Sequence, residues 1–206
     1  MKKSIRYVLL VALMLIIGYN SVYFKKLDEM NAGAAKNFDA AAYAGTFFYK
    51  ELPAEVAKAP DIDKLIGLVK TDPDNAFKNY GHALAIGTVR YFLVQGTGQV
   101  TNIDDNGLTV LAPSGNTLLL ATGYVYGNAV RDASGLVDIN KFSNTMDLNN
   151  ISAEVDKIIR NKVLPPVLSQ IKKGSRLQFA GAIALNQAHL QLDDVEVTPV
   201  SLKLIQ

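Results

Sequence analysis

The sequence predicts an α+β protein in which helical segments come first and a small β-barrel follows. Up to about residue 85 the apolar residues recur at helical spacing, whereas from about Arg90 they follow strand patterns. Strong turn signals then separate short strand-like runs, and one amphipathic helical pattern at residues 149–164 interrupts them. These observations divide the chain into an apolar N-terminus, a helical segment and a barrel domain.

An almost unbroken apolar run, YVLLVALMLIIGYNSVYF, occupies residues 7–24 near the N-terminus. At about 1.5 Å per residue, a helix of this length crosses most of the hydrocarbon core of a bilayer. Three basic residues precede the run and two lysines follow it, which favours a cytoplasmic N-terminus. We therefore predict that residues 1–26 form a signal-anchor helix, a single span of the inner membrane, and that the C-terminal domain lies in the periplasm.

The alternative to an anchor is a secretory signal that is cleaved. A signal peptidase needs small side chains just beyond the apolar core, but Tyr19, Tyr23 and Phe24 occupy this region. The cluster of small residues at 32–35 comes too late. The bulky aromatic residues instead suit the outer interface of a membrane, so the sequence favours the uncleaved anchor.

Residues 27–85 are predicted to form a helical, membrane-proximal segment. Three short helices are expected, with Asp39, Asp61 and Asp72 as their N-caps. The first should be interrupted at Pro53, because proline lacks the backbone N–H that continues a helix. These helices are modest in apolar content, and we expect them to pack against the following domain.

Residues 86–206 are predicted to form the barrel domain. A long first strand spans about 90–103, with Gly96 and Gly98 as bend or bulge positions, and the DDNG turn at 104–107 starts a hairpin. The later predictions, in chain order, are strands at 108–111 and 117–127, a helix at 149–164 ended or kinked by Pro165, and strand segments at 175–185, 189–197 and 200–205.

Three antiparallel strands, a helix and two more strands are the element order of an OB-fold, a five-stranded Greek-key barrel with a helix between strands 3 and 4. We therefore predict an OB-fold-like, five-stranded antiparallel β-barrel. An open α+β sheet with the same order is the alternative. OB-folds often bind oligonucleotides or oligosaccharides. The net charge of this chain is only +2, its charges are dispersed and its predicted location is outside the cytoplasm, which argues against nucleic acid. We therefore predict no nucleic-acid partner.

The composition excludes several classes of function. Without cysteine the chain has no disulfide, no thiolate metal ligand and no cysteine nucleophile, and its two histidines, His82 and His189, lie far apart in the sequence. No motif for a serine hydrolase, a zinc protease or a phosphate loop occurs. We predict no enzymatic activity, no metal site and no cofactor.

The connection between the third strand and the helix is long for a compact domain, and long connections are often functional. It concentrates polar residues, from which we choose as candidates for binding a ligand or partner Arg131, Asp132, Asp138, Asn144 and Asp147. A guanidinium and a carboxylate make directional hydrogen bonds to carboxylates, phosphates or sugar hydroxyls.

Each candidate also has a structural interpretation. The Arg131–Asp132 pair could close the loop by bonding backbone groups, and Asn144 and Asp147 could cap helical turns. Asp138, Asn140 and Asn144 form a faint calcium-loop pattern, but the glycine at the sixth position and the carboxylate at the twelfth are missing, so we exclude an EF-hand. For the other candidates the sequence leaves both the binding and the structural interpretations open.

Several segments of the chain resemble one protein family. They are FDAAAYA at 38–44, GNAVRDASGLVDINKF at 127–142, SNTMDLNNISAEV at 143–155, PPVL at 165–168, FAGAIAL at 179–185 and VEVTPVSLKL at 195–204. In these segments the chain is similar to the uncharacterised predicted periplasmic lipoproteins grouped as domain of unknown function family 2291. The resemblance covers nearly the whole chain after the apolar run.

The resemblance implies an exported, membrane-tethered OB-like protein, an accessory component beside a sugar ABC uptake system. The cysteine that carries the lipid in such proteins is missing here, and Gly18 or Tyr19 stands about where it would be. This departure favours a protein anchor in place of a lipid.

Two functions are compatible with the sequence. In the first, the domain is a binding or adaptor module for transporter components or a small sugar-like ligand. In the second, it is a structural tether of the cell envelope that acts through protein contacts alone. A concave site that includes Arg131 is expected for the first, and an exposed apolar patch on the helices at 39–80 for the second.

Overall fold

A computed structural model describes residues 38–142 and 144–205, together with positions 5, 7 and 14. Residues Asp39–Gln206 form one compact unit and Met1–Phe38 another. No helix within the described residues is long and apolar enough to cross a membrane. The predicted anchor at 1–26 lies outside the described residues except for Ile5, Tyr7 and Met14, so it stays a prediction.

Within residues 38–88 of the described chain, four short helices precede the barrel: α1 at Ala40–Thr46, α2 at Leu52–Lys58, α3 at Ile62–Thr71 and α4 at Pro73–Tyr80. The three predicted N-caps are confirmed, because the side chains of Asp39, Asp61 and Asp72 each accept a hydrogen bond from a backbone N–H in the first turn of their helix. Capping therefore fixes where these helices begin.

The predicted interruption at Pro53 is wrong, because the chain passes from α1 into α2 through a π-helical turn at Phe47–Glu51. In this turn the N–H of Leu52 bonds to the carbonyl of Phe47, five residues earlier. A second π-helical turn, Ile159–Val163, precedes Pro165 in the same way. Proline has no backbone N–H, so an α-helix loses one of its hydrogen bonds there. Just before each proline, the π-helical turn shifts the bonding from a four-residue to a five-residue spacing.

The barrel consists of β1 at Val89–Ile103, β2 at Gly107–Leu111, β3 at Thr117–Ala121, β4 at Arg176–Asn186 and β5 at Val195–Ile205. It is closed, with the spatial order β1–β2–β3–β5–β4. The prediction of an all-antiparallel barrel needs one correction, because β3 and β5 pair in parallel. Two parallel strands require a crossover connection, and the long segment between β3 and β4 belongs to this crossover.

Helices α5 at Ala129–Ala133, α6 at Thr145–Ile158 and α7 at Pro165–Leu168, with a 3₁₀ turn at Ile139–Lys141, occupy that connection. Helix α6 begins earlier than predicted, because Asn144 caps it by accepting from the N–H of Asp147. The helical path also continues past Pro165.

Strands β3 and β5 also differ from the prediction. Strand β3 ends at Ala121, the partner of Gly107, because β2 offers no further residues for pairing. The two predicted segments at 189–197 and 200–205 are one strand that starts at Val195. It passes Pro199 with a register shift opposite Ala180 and Gly181, which accommodates the proline in the sheet.

The glycines of β1 allow close packing rather than forming a bulge. The irregularity of β1 lies between Val100 and Asn102, beyond both predicted positions. A Cβ on Gly98 would lie 2.4 Å from Val110 Cγ1, and one on Gly96 would lie 2.9 Å from Ile62 Cγ2. Glycine is therefore required where the neighbouring strand and α3 approach β1.

Helices and barrel share one hydrophobic core, whose largest fully buried side chains include Phe47, Phe92 and Phe179. The backbone before α3 joins β1, since the N–H of Gln95 donates to Pro60 O at 3.0 Å. The Asp63 carboxylate accepts from the backbone N–H of Ser114 at 3.1 Å, in the β2–β3 turn. The helices therefore form part of the domain's core.

We expect Gly98→Ala to lower the free energy of unfolding by about 1–3 kcal/mol, because its methyl group would overpack against Val110. Gly67→Ala is the matched control, since a Cβ there meets nothing within 4 Å and alanine favours the helix by about 0.5–1 kcal/mol. Urea unfolding followed by circular dichroism measures both. Equal stability of Gly98→Ala and wild type would contradict the packing argument.

Candidate functional site

A cleft of about 350 Å³ opens between the segment that follows β3 and helix α6. Its walls combine several polar side chains with a larger apolar surface, and they consist of Tyr126, Gly127, Asn128, Arg131, Asn149, Ser152, Ala153 and Asp156. Of the five residues predicted from the sequence to form a site, Arg131 lines this cleft.

Arg131 and Asp132 form a buried ion pair beside the cleft. Their exposed fractions are only 6 % and 4 %, and Arg131 Nε lies 2.6 Å from Asp132 Oδ1. Asn128 Nδ2 donates to the other carboxylate oxygen at 2.5 Å, and the hydroxyl of Tyr91 donates to Asn128 Oδ1 at 3.3 Å. This network connects β1 to α5 and holds the guanidinium in one orientation.

The same guanidinium connects α5 to α6. Arg131 Nη1 donates to the carbonyl of Leu148 at 2.8 Å. No acceptor among the described residues bonds to Nη2. Because Arg131 lines the cleft, this nitrogen is the part of the buried cation that is available to a ligand.

Ser152 lines the cleft with an unsatisfied hydroxyl. The residue is 7 % exposed, and its Oγ is buried without a hydrogen-bond partner in the described part of the chain. A serine inside a helix commonly bonds to the carbonyl four residues earlier, which here is that of Leu148. That carbonyl accepts from Arg131 instead, so the hydroxyl keeps its bonding capacity.

Asp156 lies on α6, and Arg160 lies one turn later in the π-helical turn. Both side chains contact the segment that forms the opposite wall of the cleft. Arg160 Nη1 donates to the carbonyl of Val125, and its guanidinium carbon lies 4.5 Å from the ring centroid of Tyr126. The backbone N–H of Gly127 interacts with the Asp156 carboxylate. The two side chains therefore position residues 125–127 along the cleft.

Burial raises the pKa of Asp156 from 3.8 to about 6. The Gly127 N–H and the positive charges of Arg160 and Arg131 act in the opposite direction, but they do not overcome desolvation. At neutral pH the cleft therefore carries a carboxylate that is costly to keep charged. Perturbed carboxylates of this kind in a cleft are a feature of functional sites.

The other predicted site residues lie elsewhere in the connection. Asp132 is behind Arg131 and does not line the cleft. Asp138 caps the 3₁₀ turn by accepting from the N–H of Asn140 at 3.0 Å. Asn144 caps α6, and Asp147 lies in the first turn of that helix. Asn144 therefore has the capping geometry that its structural interpretation anticipated. Asp138 caps as well, which was not anticipated, and Asp147 contributes the N–H that Asn144 caps.

Sequence reasoning missed Ser152, Asp156, Tyr126 and Arg160. A signal for two of them was present, because Ser152 and Asp156 are polar residues four apart, directly beside the apolar stripe of α6. Tyr126 and Arg160 gave no such signal, since only the folded chain brings them together. The described residues contain no group of acidic and histidine side chains able to hold a metal ion.

We expect Asp132→Ala to lower the free energy of unfolding by about 3–5 kcal/mol, because it leaves the buried Arg131 cation uncompensated. Glu154→Ala is the control, since it breaks an exposed ion pair with Lys157 and should cost about 1 kcal/mol or less. Chemical denaturation at pH 7 compares the two. If both substitutions lowered the free energy of unfolding by similar amounts, the buried ion pair would contribute no more to stability than an exposed one.

Asp156→Asn should change how stability depends on pH. The raised pKa means that the folded state binds this proton more readily than the unfolded state, so the stabilising contribution is complete below about pH 4 and is lost as the pH rises through 6. The variant's gain over wild type should therefore be larger at pH 8 than at pH 4, by at most about 3 kcal/mol. Urea unfolding at both pH values measures it, and a gain independent of pH would contradict the assignment.

Comparison with known proteins identifies the fold and the family. A crystal structure of an OB-fold protein from Thermotoga maritima MSB8 is similar to this chain, with 22 % identity, a TM-score of 0.72, and coverage of 82 % of this chain and 100 % of that one. The predicted OB-fold class is thereby confirmed. No curated protein matches the chain significantly. The family model described as "Predicted periplasmic lipoprotein (DUF2291)" matches residues 12–203, and the chain therefore belongs to this family.

Proposed function

We propose that this protein is a membrane-tethered periplasmic binding or adaptor module, with the cleft between residues 126–131 and α6 as its ligand site. The observation that carries the proposal is the buried hydroxyl of Ser152, which has no hydrogen-bond partner among the described residues. It lines the same cleft as Arg131, whose Nη2 has no acceptor there, and Asp156, whose pKa is raised by burial. A binding module needs no chemical step, and the proposal includes none.

Buried polar groups in folded proteins are normally hydrogen-bonded, and each exception requires a reason. Here the exception among the described residues is Ser152 Oγ, and it lines a cleft of about 350 Å³, a volume within the range of small-molecule sites. Rigid support holds Arg131 in place, since Asp132 and Leu148 fix two of its nitrogens. A ligand that bonds to Nη2 would therefore lose little affinity to the ordering of the side chain.

The tether is proposed from the sequence and the family. The apolar run at residues 7–24 is long enough to anchor the chain, and the family is described as periplasmic. The chain has no cysteine that could carry a lipid. An N-terminal helix in the inner membrane would keep the domain at the periplasmic face of that membrane.

A small sugar-like ligand and a partnership with a sugar ABC uptake system belong to the same proposal. The transporter association is supported only by the sequence resemblance described above. The lining of the cleft supports the sugar-like ligand, because its polar groups and the ring of Tyr126 suit a ligand with hydroxyl groups.

The structural tether is the alternative function. It requires an exposed apolar patch on the helices at 39–80, but the large apolar residues exposed there are only Tyr49 and Tyr80. Single exposed aromatic residues are ordinary on a protein surface. The cleft therefore favours the binding module over the tether.

Ala153→Phe tests the binding site, because Ala153 is exposed and lines the cleft, so that a phenyl ring there fills the cleft without entering the core. We expect the full-length wild type, purified in mild detergent and studied by native mass spectrometry, to retain a small molecule that Ala153→Phe loses. Asn150→Phe is the matched control, an exposed position on the same helix outside the cleft, and should retain the molecule.

The same preparations are analysed for co-purified membrane proteins. Transporter subunits captured together with a small molecule would support the adaptor function. Protein partners captured equally by wild type and Ala153→Phe, with no small molecule, would support the structural tether. Retention of a ligand that Ala153→Phe does not affect would contradict the cleft as the site.

A further inference from the structure

The charges at the cleft balance. Two cationic side chains, Arg131 and Arg160, and two anionic ones, Asp132 and Asp156, surround it at neutral pH. Asp132 neutralises Arg131 directly, with 2.6 Å between Nε and Oδ1. Arg160 and Arg131 both favour the charged form of Asp156. The site therefore carries no net charge for a charged ligand to neutralise.

A charged ligand would be poorly compensated in this cleft. Among the residues that the structure describes, the charged side chains that line it are Arg131 and Asp156, which have opposite signs. An anion bound at Arg131 would lie beside the Asp156 carboxylate, and a cation at Asp156 would lie beside the guanidinium. Partial loss of an ion's hydration in the cleft is costly when no net charge compensates for it.

The remaining hydrogen-bonding capacity is mixed. Nη2 of Arg131 can only donate, the ionised carboxylate of Asp156 can only accept, and the hydroxyl of Ser152 can do both. Ser152 and Asp156 are one helical turn apart, so their side chains occupy the same face of α6. Arg131 lies close enough to act electrostatically on Asp156. A small ligand that contacts all three groups therefore needs an acceptor for the guanidinium and a nearby donor for the carboxylate.

On the basis of the proposed binding function, we infer that the cleft takes an uncharged ligand that presents an acceptor and a donor side by side, as vicinal hydroxyls or a carboxamide do. Arg131 donates to the acceptor, Asp156 accepts from the donor, and Ser152 completes the set. Asp156 is then the residue that determines specificity, because its negative charge cancels the positive charge that would attract an anion.

Acetamide and acetate test the inference, because they have the same shape and differ in charge, and myo-inositol represents vicinal hydroxyls. Binding to the full-length protein in detergent is measured at pH 8 by saturation-transfer difference NMR, which detects weak ligands. We expect acetamide or myo-inositol to bind at least tenfold more tightly than acetate. The better neutral probe shows whether the ligand is a carboxamide or a polyol.

Two substitutions test the roles of Asp156 and Ser152 separately. Asp156→Asn gives the site a net positive charge, so the affinity for acetate should increase at least tenfold. Ser152→Ala should weaken binding of the neutral probe at least threefold while leaving the fold intact, since its hydroxyl has no partner to lose. Glu154→Gln removes a negative charge from the same helix outside the cleft and should change neither affinity.

The first contrary result is that the wild type binds acetate more tightly than both neutral probes and that Ala153→Phe abolishes this binding. This result would overturn the inference about charge but would leave the proposed binding site intact. Acetate affinity unchanged in Asp156→Asn would overturn the role of Asp156. If no probe gives a signal that Ala153→Phe abolishes, both the inference and the small-molecule site are contradicted.

Discussion

The buried pair of Arg131 and Asp132 is the interaction on which the organisation of the site depends. Through Asn128 it reaches Tyr91 on β1, and through the carbonyl of Leu148 it reaches α6. Three elements distant in the sequence are therefore joined by one guanidinium and one carboxylate. Because the pair is almost completely buried, its hydrogen bonds are strong and the loss of either member is expensive.

Closure of the barrel explains why the site lies in the connection between β3 and β4. The parallel pairing of β3 with β5 requires the chain to cross over before β4, and α5, α6 and α7 belong to this crossover. Helix α6 buries its apolar stripe in the core, which leaves the flanking residues Ser152 and Asp156 beside the segment after β3. Helix α6 therefore contributes both to the hydrophobic core and to the candidate site.

Much of the fold was predictable because its signals are local. Asp39, Asp61 and Asp72 cap the helices as expected, and the DDNG turn forms the first hairpin. The errors occurred where partners elsewhere decide the outcome. Strand β3 stops where β2 has no further residue to pair with, and two π-helical turns carry the helices past proline.

The sequence by itself determined the element order, the helix caps and the family, and it offered Arg131 as a candidate, because patterns, short-range capping and motifs are local properties of the chain. The tertiary structure decided that Arg131 keeps one nitrogen for the cleft, that Ser152 loses its usual partner and that Asp156 is hard to ionise. These properties depend on burial and on contacts between distant segments, which periodicity cannot encode.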